Sequence, residues 1–255
     1  MLEQTVDMAP LRAALETESA TVARSVPAVV PGKPVLTVTL LVINILVFLL
    51  MTLAGGTTRP TVLIVAGALN WPCFRQGDYA AAVTATFIHV GLIHLLFNMS
   101  ALWVMGKPLE GLIGTVRFAL VYFVSAISGS LMSVCLHHHV MSAGASGAIF
   151  GIGGAMLVIG LRHPDRIPPR AMKLFGKSSV PFFVLNLALG LAIPGIDILA
   201  HLGGILGGAA CACGMAPHVD RKWARRLVTL GAVLMTLAAF CCHFIALLVI
   251  GLRMH

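Results

Sequence analysis

A serine, two histidines and an asparagine interrupt long apolar runs in this chain. His94 and Asn98 are four apart in TFIHVGLIHLLFNMSALW, so on a helix they share a face. His89 lies five residues before His94, where the chain enters that helix. Ser146 sits in Gly144-Ala145-Ser146-Gly147, and Gly151 and Gly154 follow at spacings that admit a close helix partner. His201 opens another apolar run, with Gly204 and Gly208 on the same side of its helix. Polar groups in hydrocarbon are costly and usually have a purpose. A serine within reach of an imidazole is a nucleophile with its base. The Asn98 amide, the His94 ring and the Ser146 backbone N–H are candidate donors to a developing oxyanion. Asp197, four before His201, is expected at a loop, which predicts a Ser–His dyad and not a triad. Taken singly, each group also fits a structural role. His94 and Asn98 serve as glue between helices, Ser146 as a cap, and His201 as a ring bonded to a backbone carbonyl.

These groups need elements that bring them to one depth. Of 255 residues, 58% are hydrophobic and 10% charged, with mean hydropathy +0.97. Soluble domains carry about 25% charge, so too little polar surface is available to cover a globule. The composition excludes a disordered chain, a collagen-like fibre and a secreted disulfide scaffold, and leaves a polytopic membrane protein. Seven runs are apolar enough to span: 35–54, 91–110, 115–135, 146–161, 179–195, 199–215 and 227–251. The fourth to sixth are short. The runs are far longer than barrel strands, so the spans are helices.

Lys and Arg set the orientation. Fourteen fall on one side: Arg12, Arg24, Lys33, Lys107, Arg117, Arg162, Arg166, Arg170, Lys173, Lys177, Arg221, Lys222, Arg225 and Arg226. Three, Arg59, Arg75 and Arg253, fall on the other. The positive-inside rule predicts a cytoplasmic N-terminus and an outer C-terminus. Residues 1–34 read as a short cytoplasmic tail without a cleavable signal. The second, fourth and sixth spans then run inward, and Asn98, Ser146 and His201 lie early in each, at one shallow depth on the outer side. The connection 55–90, with Trp71, Phe74, Tyr79 and Phe87, is expected to fold against the interface. The net charge of +8 is spread between apolar runs, which argues against nucleic-acid binding. Cys73 and Cys135 share the outer side, so a disulfide between them is possible. His137, His138 and His139 read as a polar loop and not a metal cluster, and His243 in the seventh span reads as structural.

The set His89-x-x-x-x-His94-x-x-x-Asn98, the Gly144-Ala145-Ser146-Gly147 box and Ala200-His201 with Gly204 and Gly208 resembles the rhomboid family of intramembrane serine proteases. A lone GxSG is weak evidence, but three pieces in alternate spans are specific. The resemblance covers about 35–215. It implies an all-α membrane protein with a rhomboid-like six-helix bundle core over 35–215, followed in 216–255 by a cytoplasmic loop and one extra C-terminal transmembrane helix. It implies Ser146 as nucleophile, His201 as base, and Asn98, His94 and the Ser146 amide as oxyanion donors. Phe150 would pack on the histidine, and His89 would support the first outer loop. Trp103 and Gly106 to Glu110 match the family's continuation of the second helix. Substrates would be transmembrane proteins entering sideways from the lipid near the second and fifth helices, past a gate on the fifth, which carries Phe182 and Phe183. No metal, nucleotide or organic cofactor is implied. The family's Trp-Arg pair in the first outer loop is absent; the stretch here is Gly77-Asp78-Tyr79-Ala80-Ala81. A bacterial inner membrane suits the short tail. Two other classes also remain: an inactive rhomboid-like protein that binds membrane clients, and a solute transporter. The first usually lacks the serine or histidine, and the second should show inverted repeats.

Overall fold

The computed structural model describes residues 33–169, 171–181, 183–185, 195–215 and 222–253. Nine helices carry the architecture described here: α1 (Val35–Leu53), α2 (Pro60–Ala66), α3 (Trp71–Arg75), α4 (Ala81–Thr84), α5 (Gly91–Ile113), α6 (Thr115–Leu136), α7 (Ser146–Arg162), α8 (Ile198–Ala212) and α9 (Lys222–Arg253). Among the described residues the only β-pairing is one isolated bridge, Leu69 with Ser142. Four helices, α1, α5, α6 and α9, are long and apolar enough to cross a membrane. The chain is an all-α polytopic membrane protein. The expected fifth span, 179–195, lies largely outside the described residues, as does Phe182.

The two short helices form the centre. α7 has 17 residues and α8 has 15, fewer than the ~20 needed to cross hydrocarbon unaided. Neighbouring helices flank them closely, because α8 lies between α6 and α7 at backbone contact. A side chain at Gly204 or Gly208 would overlap the carbonyls of Gly147 or Gly151. One at Gly203 would meet the Ser128 carbonyl, and one at Gly129 the Ala200 carbonyl. The glycine face beside His201 is therefore matched by a second face, Gly203 and Gly207, turned to α6. Close backbone approach by small residues is how membrane helices gain packing without a hydrophobic driving force.

α5 is not uniform. Residues Leu102–Gly106 form a π turn that ends two residues before Pro108. Proline lacks the N–H that would bond the Val104 carbonyl, so the ladder has to widen there. α5 ends at Gly114 (φ +84), and α6 begins one residue later. Lys107 and Arg117, expected in a connection, therefore lie within helices, because the loop has shrunk to a single glycine. Glu110 is buried near this corner. Its carboxylate accepts from Leu36 N–H (2.9 Å), Thr37 N–H (2.7 Å), Thr37 Oγ1 (2.7 Å) and Thr115 Oγ1 (2.7 Å). α1 has no side-chain cap of its own. Glu110 satisfies two of its orphan donors from across the bundle, where the helix dipole favours a negative charge.

The outer connection between α1 and α5 folds as α2, α3, α4 and a 3₁₀ turn, Ala85–Phe87. Asn70 caps α3 by accepting the Cys73 N–H at 3.0 Å. Tyr79 sets its ring edge-on to Phe74, 5.1 Å between centroids. Trp71 stacks on His138 at 4.1 Å. Cys73 and Cys135 are both free thiols.

Candidate active site

α7 begins at Ser146, so the serine stands in the first turn, where backbone N–H groups have no helical partner. α8 begins at Ile198 and brings His201 into its first turn. The glycine contact between the helices holds these starts level. His201 Nε2 and Ser146 Oγ are 2.9 Å apart. With the hydroxyl as donor, Nε2 accepts and the ring proton resides on Nδ1. The His201 ring is stacked on Phe150, 4.1 Å between centroids and 18° between planes, which fixes its tilt. Phe183 packs behind Phe150 at 6.2 Å.

Asp197 does not orient His201. Its Oδ1 accepts the Ala200 N–H at 3.0 Å as the N-cap of α8, and its Oδ2 accepts the Ser133 hydroxyl. His201 Nδ1 is buried with no hydrogen-bond partner among the described residues. The pair thus has the arrangement of a dyad.

His94 lies across Gly144 from the serine. A Cβ on Gly144 would stand 2.8 Å from His94 Nε2 and 3.8 Å from Ser146 Oγ. The missing side chain leaves a small volume between imidazole and hydroxyl. Gly144 also takes φ +122, a region L side chains rarely adopt. His94 Nδ1 accepts the Val90 N–H at 3.3 Å, so Nε2 carries the proton and faces that volume as a donor. Asn98 is buried on the same face of α5. Its Nδ2 donates to the His94 carbonyl at 3.0 Å, which leaves one amide hydrogen for another acceptor. His89 Nε2 accepts the Ala145 N–H at 3.4 Å, tying the α5 entry to the residue before the serine. Burial, and secondarily the neighbouring His94, push the His89 ring down to about 3, so it stays neutral near pH 7.

Two further contacts support the serine's approach. Leu69 and Ser142 exchange backbone hydrogen bonds of 2.9 and 2.8 Å, and Gly144 N–H donates to the Ala85 carbonyl at 2.9 Å. The first outer loop thus holds the segment leading to Ser146. Spacing did not reveal this, because backbone pairing leaves no mark in residue type. His137 to His139 do not converge: His138 stacks on Trp71 and its Nε2 meets the Cys135 carbonyl at 3.1 Å. The structure brings together Ser146, His201, Phe150, His94 and Gly144, with His89 and Asn98 beside them.

A family model, the Rhomboid domain, matches residues 76–218. The chain is 36% identical over 186 residues to Rhomboid protease GluP of Bacillus subtilis (strain 168), covering 72% of this chain and 36% of that protein. It is 37% identical over 143 residues to RHOMBOID-like protein 6, mitochondrial, of Arabidopsis thaliana, covering 56% and 46%. It is 28% identical over 190 residues to Rhomboid-like protease 3 of Toxoplasma gondii, covering 73% and 72%. The chain thus spans about a third to a half of the length of the first two relatives.

Proposed function

The chain belongs to the rhomboid family, and on that premise we propose that it is an intramembrane serine endopeptidase acting on transmembrane proteins. The observation that carries this reading is the 2.9 Å contact of Ser146 Oγ with His201 Nε2, with the ring held on Phe150. Ser146 attacks the scissile carbonyl carbon, and its proton passes to His201 Nε2. The oxyanion forms in the volume beside Gly144. The Ser146 backbone N–H, the His94 Nε2–H and the second Asn98 amide hydrogen are its donors. His201 then returns the proton to the leaving amine. A water, deprotonated by the same ring, hydrolyses the acyl-enzyme. The residues 35–215 are the protease core, 216–255 contribute the loop and appended helix, and 1–34 form the tail.

Substrates arrive as helices through the lipid. An intact helix shields its peptide bonds, so cleavage favours segments with small or helix-breaking residues. The bacterial inner membrane is the proposed location, with the N-terminus cytoplasmic, the C-terminus outside and the cut near the outer face.

The test is covalent labelling of detergent-purified protein with a fluorophosphonate probe. Wild type should label. Ser146→Ala should abolish labelling, and His201→Ala should slow it by about 10²–10⁴-fold, the usual contribution of a general base. Undiminished labelling of Ser146→Ala would move the nucleophile elsewhere. Full activity of Ser146→Ala in cells would favour the client-binding alternative.

A further inference from the structure

We propose that His243 of α9 and Asp78 of the first outer loop form a clamp through which the C-terminal helix positions the segment carrying Ser146. Both side chains are fully buried. His243 Nδ1 is 2.8 Å from Asp78 Oδ2, and His243 Nε2 is 3.1 Å from the carbonyls of Ile64 and Val65. Carbonyl oxygens only accept, so Nε2 must donate. His243 Nδ1 and the Asp78 carboxyl share the second hydrogen bond of the ring. One side chain from the last helix therefore ties two points of the loop, the end of α2 and the turn before α4. Gly67, beside the ring, makes room for the Thr84 side chain. A Cβ there would meet Thr84 Oγ1 at 2.6 Å and His243 Cδ2 at 3.6 Å, and Thr84 Oγ1 itself donates to the Gly67 carbonyl at 2.8 Å.

The clamped loop is what holds the serine's approach. Leu69 pairs with Ser142, Ala85 accepts from Gly144, and His89 accepts from Ala145. α9 also packs on the loop through Phe240, whose ring lies 6.1 Å from that of Phe87, and His243 adds the hydrogen bonds that fix the loop to it. Only 17% of the α9 span is buried, and an open apolar groove of about 730 Å³, lined by Leu46, Val62, Val65, Leu237 and Phe244 among others, lies where it meets α1 and α2. Asp78 also lies in the stretch that lacks the family's Trp-Arg. His243 is thus a positioning residue. It acts through Asp78 on the 142–146 backbone, and this role rests on Ser146 as the nucleophile.

The experiment measures two quantities on full-length protein in detergent: the fluorophosphonate labelling rate, and amide hydrogen exchange over 140–147. His243→Ala and Asp78→Ala should each slow labelling about tenfold or more and speed exchange in that segment, with folded protein retained by circular dichroism. The double variant should be no worse than His243→Ala, which already loses the Asp78 bond together with those to the Ile64 and Val65 carbonyls. His243→Asn, whose amide can still reach Asp78, should recover part of the labelling. Leu248→Ala, on the exposed side of α9, should change neither readout. Exchange that stays at the wild-type level in His243→Ala, or losses that multiply in the double variant, would overturn the clamp. Wild type that does not label, together with faster exchange in His243→Ala, would instead retain the clamp and remove the protease reading.

Discussion

At the scale of single residues, the candidate site depends as much on an absent side chain as on present ones. Gly144 keeps clear the space between His94 Nε2 and Ser146 Oγ, and its φ of +122 suits only glycine. Gly144→Ala should therefore cut probe labelling about tenfold or more with α-helix content unchanged; labelling at the wild-type rate would mean that this space is not where the oxyanion forms. Asn98→Ala addresses the donor side. If its free amide hydrogen reaches the oxyanion, turnover of a transmembrane substrate should fall by about 10²–10³ with little change in apparent substrate affinity. An effect on affinity alone would assign Asn98 to packing. The meeting of Ser146 with His201 was legible in the sequence, because both begin alternate spans, which run in the same direction and start at one level. The distance, the ring stacked on Phe150 and the use of Asp197 as a cap were not. They depend on rotamers and helix phase, which spacing leaves open. His243 was legible as structural, but its partner was not, since Asp78 lies 165 residues away in a loop.

At the scale of elements, apolar run length located the helices well and their ends poorly. The run at 91–110 continues to Ile113 because Glu110, charged and seemingly a stop, is buried and fully used by its neighbours. A charge with four partners inside the bundle cannot be told from a charge at a helix end by composition. Glu110→Ala would orphan the Leu36 and Thr37 N–H groups. Each buried, unsatisfied donor costs about 1–3 kcal/mol, so the unfolding transition in detergent should drop by several degrees while the purified, folded fraction keeps its site chemistry. Glu110→Gln retains acceptor capacity and should lose less. Equal losses for the two variants would mean that space-filling, not hydrogen bonding, is what Glu110 supplies. The second glycine face of α8 was equally illegible. Gly203 and Gly207 gain meaning only once α6 is known to run beside them.

At the scale of the whole molecule, the site has an end, and that end has to face one compartment. Ser133 donates to Asp197, so the C-terminal end of α6 lies level with the start of α8 and with His201. Cys135, exposed, marks this end. Cys213 is also exposed and follows the last turn of α8; a 15-residue helix advances about 22 Å, so it marks the opposite end. The orientation proposed from the Lys and Arg distribution in the sequence would set the site end outward. In a bacterial host, variants retaining one of these two cysteines, with the other five replaced by serine, read the orientation directly. A membrane-impermeant maleimide added to spheroplasts should label Cys135, and should reach Cys213 only after the membrane is permeabilised. The reverse pattern would invert the protein and place hydrolysis at the cytoplasmic face. The bundle and its dyad would be unchanged by that result, but the substrates would have to present their cleavable segments on the other side of the membrane.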